Sequence, residues 1–438
     1  MNALVPIVMI GWLPTVIVLF KALSSRRAVI VSYLFAWLFL PVATLDVPGL
    51  PDYSKMTATS LGVLIGTLLF DSNRLKRFRL QWFDLPVIVL ALSPFATAIS
   101  NGLGVYEGLS AALEKVVRFC FPYLIGRCYL DSVEAFRELA IAVFVGGVLY
   151  VPICVWEARM SPTLHSDIYG FRASSMAKGI RYGGFRPLGF MWTYLALVAW
   201  MSISFTIGFW LWRTKTVRKL MGIPMPIYLA GIGGALVLCK TLTAILLVPV
   251  GCLIPMFVSR FRMRGAFIAL ALCVPAFIGV RATGMWDGYS MVHALESFDE
   301  ERAHSLEVRI VNENRLAEHA LKRPVFGWGR WGRSRIYDED TNEDITRQDG
   351  LWIVTLGVQG LVGLVSVCLL FLIPIVRFAR RFPPRQWRDP ALAPTAALAV
   401  AVLLTFINNI PNTTLNPIIT FAIGGLISLT TLTRPRWE

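Results

Sequence analysis

Charged residues are scarce in this 438-residue chain, at 16% against 56% hydrophobic, and the mean hydropathy is +0.62. That balance excludes an ordinary soluble multidomain protein and places the chain among polytopic membrane proteins. The seven cysteines (Cys120, Cys128, Cys154, Cys239, Cys252, Cys273, Cys368) form no C-x-x-C pair and fall in or beside apolar segments. They read as small buried hydrophobes, which excludes a disulfide scaffold or a zinc site. No repeat of 20 to 50 residues and no low-complexity tract is present, so neither a solenoid nor an obvious inverted-repeat transporter is indicated. The first twenty residues are apolar but lack a basic n-region and a small-residue cleavage site, and are expected to be a retained first helix.

What the chain does have is a succession of apolar segments near 1–20, 28–44, 56–70, 84–99, 112–130, 133–157, 187–212, 224–239, 241–258, 265–281, 351–376, 393–410 and 417–432. About 20 helical residues cross a bilayer core of about 30 Å, so the expected fold is all-α, with 12 or 13 transmembrane helices. The net charge of +15 is dispersed in short basic clusters between these segments, which argues against nucleic acid as a partner. Lys21, Arg26 and Arg27; Arg74 to Arg79; Arg213 to Lys219; Arg260 to Arg264; Arg377 to Arg388; and the tail with Arg434 and Arg436 all fall in alternate loops. The positive-inside rule makes that side cytoplasmic. The loops at 46–55, after Ser100, 158–186, Lys240, 282–350 and 408–417 then face outward. Three parts result: helices and outer loop 158–186 within 1–281, a long outer loop at 282–350, and helices with a cytoplasmic tail over 351–438.

The outer loop 282–350 is the one long polar stretch. From about His304 to Lys322 its pattern is helical, with Leu306, Ile310, Ala317 and Leu321 inside an arc of roughly 60° and Arg309, Asn312, Arg315, His319 and Lys322 on much of the other face. Pro324 ends the pattern. Such a helix either lies apolar face down beside an aqueous cleft or simply presents a solvated polar face. Next come Gly327, Trp328, Gly329, Arg330, Trp331 and Gly332. Trp328 and Trp331 offer flat faces on which a sugar can stack, and equally can anchor the loop at headgroup level. Asp338, Asp340, Asn342, Asp344 and Asp349 match part of a calcium loop, but Glu343 stands where the turn glycine belongs, so a solvated acidic loop is expected and no metal is assigned.

The stretch from Arg309, RIVNENRLAEHALKRPVFGWG, followed by QDGLWIVTLGVQGLVGL at 348–364, resembles the O-antigen ligase and O-antigen polymerase superfamily of membrane glycosyltransferases. RPLGFMWTYLALVAW at 186–200 is similar to that family's Arg-led start of a membrane helix, and CKTLTAILLVPVG at 239–251 sits where members read "SRG" before an apolar run. The resemblance covers roughly 180–375. Asp349 stands where the family carries a histidine, and Lys240 where it carries the "SRG" arginine. The resemblance implies a GT-C-like membrane enzyme on the outer face of a bacterial inner membrane. It implies inverting transfer of a glycan from a polyprenyl-diphosphate donor to a saccharide hydroxyl, without a cofactor. Membrane lipids and other polysaccharide-assembly proteins are the further partners expected.

Such a reaction leaves negative charge on the departing diphosphate, which pre-aimed cations stabilise, and arginine's fork pairs with phosphate oxygens. Arg309 and Arg315 are the expected catalytic cations, with Arg186 and Lys240 as further clamp residues. Asn312, His319, Trp328 and Trp331 are expected to contact the sugars. Asp349, at the mouth of an apolar segment, is either the base that accepts the hydroxyl proton or the N-cap of the following helix. His304 and His319 are reserve bases, and His165 and His293 read as ordinary loop residues. Competing readings are a lipid-linked oligosaccharide flippase or exporter, a cell-wall polymerase with an outer-loop carboxylate, and a non-catalytic membrane protein with an interaction loop. For the flippase, Glu114, Lys115, Arg118, Arg137 and Glu157 are the main charges within apolar segments.

Overall fold

The computed structural model describes residues 1–46, 52–297 and 299–431. The rest of the first outer loop, at 47–51, and the predicted tail with Arg434 and Arg436 lie outside the described residues.

The protein is mostly helical, as its composition requires. Among the described residues, seven helices are long and apolar enough to cross a membrane, including Leu4–Ala22, Val133–Met160, Tyr194–Arg213 and Leu351–Arg381. Lys55–Phe70, Met225–Leu238, Ala393–Asn408 and Pro417–Thr431 are apolar but shorter. Helix Tyr194–Arg213 is 78% buried over its apolar window and forms the middle of the bundle, whereas Leu4–Ala22 is 28% buried and lies at the periphery. On the peripheral helix Ile7, Ile10 and Val18 are exposed, as expected of side chains facing lipid tails.

Between helices in lipid, close approach replaces hydrophobic collapse, and small residues permit it. Helices Phe121–Tyr129 and Pro417–Thr431 cross this way. A Cβ on Gly126 would meet Phe421 O at 2.0 Å, and one on Gly424 would meet Tyr123 O at 2.1 Å.

The expected segment at 112–130 is a longer, interrupted element. It begins at Val105, runs as an α-helix to Lys115, loosens into a π-turn at Val116–Cys120 and resumes at Phe121–Tyr129. Pro122 has no N–H to offer the carbonyl of Arg118, and the chain answers with the wider ring, Phe121 N donating to Val116 O. The 158–186 stretch also has structure, a short helix Leu164–Tyr169 and a two-residue hairpin pairing Ile180–Arg181 with Gly184–Phe185.

Two ends of the bundle differ in chemistry. One collects basic residues, with Arg27 on Glu138, Arg74 on Asp71 and Asp131, and Arg388 on Ser259. The other collects the polar loops. There Arg302 reaches Tyr182 Oη at 3.2 Å, Lys240 reaches Arg181 O at 3.1 Å, Thr413 reaches Asp349 O at 2.8 Å and Arg330 pairs with Glu114 at 2.8 Å.

The helix read from about His304 runs over Glu300–Leu321, starting four residues earlier because the Asp299 side chain accepts from Arg302 N and caps it. Its buried face holds Ala303, Ile310, Leu316, Ala317 and Ala320. Leu321, expected on that face, is exposed, and Leu316 takes its place.

Candidate functional site

The sequence PVFGWG is explained by a break in helix Leu351–Arg381. Gly360 has φ 64° and ψ −161°, a conformation essentially reserved for glycine. The break frees backbone groups on both sides, and the loop takes them up. Trp328 N donates to Gly357 O at 2.8 Å and Gly329 N to Val358 O at 3.1 Å, while Leu361 N and Val362 N donate to Pro324 O and Val325 O at 2.7 and 3.2 Å. Thr97 and Asn101 fix the same loop from a third helix through Phe326 O and Gly327 O. Arg333 grips Glu107 with both terminal nitrogens, at 2.5 and 3.2 Å.

This docking gives two residues expected to contact sugars partners within the protein. One face of Trp328 stacks on His319, with ring centroids 4.4 Å apart and planes 10° apart, and the Arg323 guanidinium also lies over its ring at 4.4 Å. The indole Nε1 donates to His319 O. Trp328 and His319 are therefore structural partners of each other. Trp331 is different: φ 59° turns it outward, it is 71% exposed, and Arg330 lies 5.2 Å from its ring.

Arg309, Asn312 and Asp349 are brought together. Asp349 Oδ2 lies 3.7 Å from Arg309 Nε and its Oδ1 accepts from Arg347 Nε at 3.0 Å. Asn312 Oδ1 accepts from Arg347 N and so holds that strand against the helix. One turn on, Glu313 pairs with the buried Arg281 at 3.1 Å. Burial raises the Glu313 pKa above the usual carboxylate value, Arg281 and Arg309 oppose the shift, and Asp349 adds to it. The result is a row of alternating charges, Arg281, Glu313, Arg309, Asp349 and Arg347. Arg281 and Glu313 were absent from the expected site because Arg281 reads as the end of an apolar run and Glu313 as part of a polar face.

Asp349 does not cap the next helix. Gly350 occupies the N-cap with no side-chain bond, and Leu351 N donates instead to Asn409 O and Asn412 O at 3.0 and 3.1 Å. The carboxylate is thus left to the loop, 24% exposed.

Arg315 lies about 120° around the helix from Arg309 at 100° per residue. It is exposed and makes no ion pair or hydrogen bond among the described residues. Arg186 and Lys240 form a separate group. Arg186 is buried, donates to Cys239 O and Lys178 O, and lies over the Tyr194 ring. Burial lowers its pKa, with Arg181 acting in the same direction. Lys240 donates to Arg181 O and Tyr182 O, so Lys240 holds the hairpin while Arg186 ties its flank at Lys178 to Cys239.

The acidic run is a self-satisfied turn. Asp338 Oδ1 accepts from Asp340 N, Thr341 N and Thr341 Oγ1, which holds its pKa below the usual value, and Asn342 turns with φ 54°. His165, read as an ordinary loop residue, is buried among Tyr169, Phe171 and Phe190. Its Nε2 accepts from Val42 N, so Nδ1 carries the proton that bonds Phe171 O.

A second group of charges surrounds a cavity of about 410 Å³ lined by Lys55, Glu114, Arg118 and Arg330. No family model matches the chain, and no curated protein matches it.

Proposed function

We propose that this protein is a GT-C-like membrane glycosyltransferase. On this reading it joins a glycan, carried on a polyprenyl diphosphate, to a saccharide hydroxyl with inversion, at the outer face of a bacterial inner membrane. The bundle then has about thirteen crossings, counting Ser25–Phe39 and the interrupted helix, with the polar-loop end outward and the basic end cytoplasmic, as the positive-inside rule requires.

The observation that carries the reading is Asp349, a part-exposed carboxylate left off the helix cap and aimed by Arg309 and Arg347 at its two oxygens. A carboxylate has about four acceptor sites, so two guanidinium contacts leave room for the proton of an incoming hydroxyl. As the hydroxyl oxygen attacks the anomeric carbon, its proton passes to Asp349 and the diphosphate departs with the bonding electrons. Arg309, beside the base, is placed to meet the charge that develops. Arg315, on another face of its helix, contacts the glycan or its lipid rather than the reacting centre.

The test is glycan joining in membranes carrying Asp349→Asn. General-base loss is expected to reduce the rate about 10²- to 10⁴-fold, with expression and thermal stability kept. Full activity of the asparagine variant would remove Asp349 from the chemistry. Arg309→Ala is expected to lose joining as well.

A further inference from the structure

The basic end of the bundle holds a cavity of about 310 Å³ whose walls are short of negative charge. Arg74, Arg77 and Arg79 line it from the segment that leads into helix Leu85–Ser100, and Arg127 lines it from the end of helix Phe121–Tyr129. Asp131 is the one carboxylate among the lining residues, and it lies 3.5 Å from Arg74. Arg74 is held further by Asp71 at 3.1 Å and Cys128 O at 2.9 Å. Arg77 and Arg79 are exposed and make no ion pair or hydrogen bond among the described residues.

Arg127 is the buried member of the group. Its side chain is 6% exposed, its guanidinium lies over the Phe78 and Phe83 rings at 5.3 and 5.9 Å, and Nη1 donates to Asp84. Nε is shielded from solvent and has no hydrogen-bond partner among the described residues. An orphaned N–H on a buried guanidinium is costly unless another group accepts from it. Arg377 adds to the imbalance, because its guanidinium lies over the same Phe83 ring at 4.3 Å and its charge repels that of Arg127. The C-terminal carbonyls of helix Pro417–Thr431, beside Ser428 and Thr431 in the cavity wall, would oppose an anion. Arg377 offsets them by donating to Thr430 Oγ1 and Thr430 O at 3.1 and 3.0 Å.

The surroundings belong to the edge of a lipid layer. Leu80 and Trp82, on either side of Gln81, are 62% and 65% exposed, and tryptophan beside arginine is typical of headgroup depth. Phe78 lines both the cavity and an apolar groove that runs by Leu80, Ile88 and Leu124. A phosphate in the cavity therefore has apolar surface one ring away for the chains attached to it.

We propose that this cavity binds an anionic phospholipid, with its phosphodiester against Arg77, Arg79 and Arg127. Basic pockets between membrane helices suit such headgroups, since the charge is met while the chains stay in lipid. Bound there, the lipid ties the 74–81 segment to helix Phe121–Tyr129, which crosses Pro417–Thr431 at Gly126 and Gly424. The site lies at the opposite end of the bundle from the Asp349 row, and it does not depend on the proposed transfer.

The experiment is native mass spectrometry of the full-length protein in neutral detergent, titrated with phosphatidylglycerol and with phosphatidylcholine. One phosphatidylglycerol is expected to bind at least tenfold more tightly than phosphatidylcholine. Arg77→Gln combined with Arg79→Gln is expected to weaken it tenfold or more. Ser428→Phe, which narrows the cavity without changing charge, is expected to weaken it severalfold. Arg260→Gln combined with Arg264→Gln removes the same charge from exposed positions in another loop of the basic end, and is expected to stay within twofold of the wild type. Circular dichroism melts confirm that each variant is folded. Equal loss in the two double variants would reduce the effect to surface charge, and equal binding of phosphatidylcholine would reduce it to a greasy surface. Competition by the deacylated headgroup, glycerophosphoglycerol, at the lipid's own concentration would make this a free-phosphate site. Each of these overturns the inference, as would wild-type affinity in the Arg77 and Arg79 double variant.

Discussion

Replacing Gly360 with alanine tests whether the loop is hung on the broken helix. At φ 64° and ψ −161° a side chain is strained wherever it points. Here it also has no space, since its Cβ would lie 2.3 Å from Val325 O, 2.5 Å from Val325 C and 2.7 Å from Gly327 N. All three are backbone atoms of the docked loop and cannot swing aside. Either the helix straightens and the loop leaves, or the loop shifts and loses Leu361 N to Pro324 O and Val362 N to Val325 O. Strain of about 1–3 kcal/mol adds to about 1–3 kcal/mol for each backbone group left without a partner. A cost of at least about 4 kcal/mol follows, raising the undocked population roughly a thousandfold at 1.4 kcal/mol per decade. Lys322, Arg330, Arg333 and Arg335 make the loop a trypsin substrate once undocked. Limited proteolysis in detergent is expected to cut Gly360→Ala within this stretch at least a hundredfold faster than the wild type. Gly279→Ala, where a Cβ meets nothing within 4 Å, is the control and is expected to cut at the wild-type rate. A Gly360→Ala protein cut within threefold of the wild-type rate would refute the docking argument.

Burial lowers the His165 pKa below its ordinary 6.5, with Lys55 adding to the shift and the bond to Phe171 O opposing it. The unfolded chain therefore takes up the proton first. Stability from the neutral ring is complete above about pH 6.5 and falls as pH drops toward the folded value, by at most about 1.4 kcal/mol per unit. Hydrogen exchange over 164–171 should quicken from pH 7 to 5 in the wild type and lose that pH dependence in His165→Asn; a wild-type profile flat beyond the intrinsic exchange trend would refute the assignment. For the pair of buried Arg281 and half-buried Glu313, Arg281→Met is expected to destabilise the fold by stranding a carboxylate, by no more than about 3 kcal/mol, and adding Glu313→Gln to recover more than half, both read by thermal melts. Additive losses in the double variant would contradict the pairing. A Cβ on Gly184 would sit 2.3 Å from Lys240 Nζ, so Gly184→Ala should push the ammonium off Arg181 O without removing its charge. Glycan joining by Gly184→Ala should then fall as far as by Lys240→Met; wild-type joining would mean that Lys240 acts through charge alone.

Membrane helices were legible because each is a continuous apolar run, and Leu242–Phe261 and Arg264–Ala282 lie within a few residues of the expected segments 241–258 and 265–281. The interrupted helix was read short because Glu107 and Gly108 break the hydropathy at its start, while its turn geometry follows from Pro122, one residue. Glu114, Lys115 and Arg118 were visible as charges inside an apolar segment, which is the strongest single-sequence pointer to function in a membrane protein. Only the fold shows that Arg330, 216 positions after Glu114, completes that cluster. Conversely, the glycines and Trp328 of PVFGWG look like a ligand loop in sequence. Their partners are carbonyls freed at Gly360, and in sequence Gly357, Gly360 and Gly363 read equally well as close-packing positions of an unbroken membrane helix.

The cations of the loop end divide by what holds them, and the division decides which are available to a phosphate. Arg186 and Lys240 donate to backbone carbonyls, and Arg281 to Trp286 O and the half-buried Glu313. Turning Arg186 or Arg281 toward a ligand orphans a group shielded from water at about 1–3 kcal/mol, more than one added phosphate contact readily returns, and turning Lys240 releases the hairpin. Arg309 and Arg330 are paired with carboxylates that remain about a quarter and two fifths exposed. Such pairs contribute about 0–1 kcal/mol, and the released carboxylate is rehydrated at once. Exchange of one oxyanion for another is nearly free at those two positions, and Arg118 and Arg315 need no exchange. The first set therefore frames the loop end, and the second is the charge left free to change partners, with Arg309 beside Asp349 and Arg330 beside the 410 Å³ cavity.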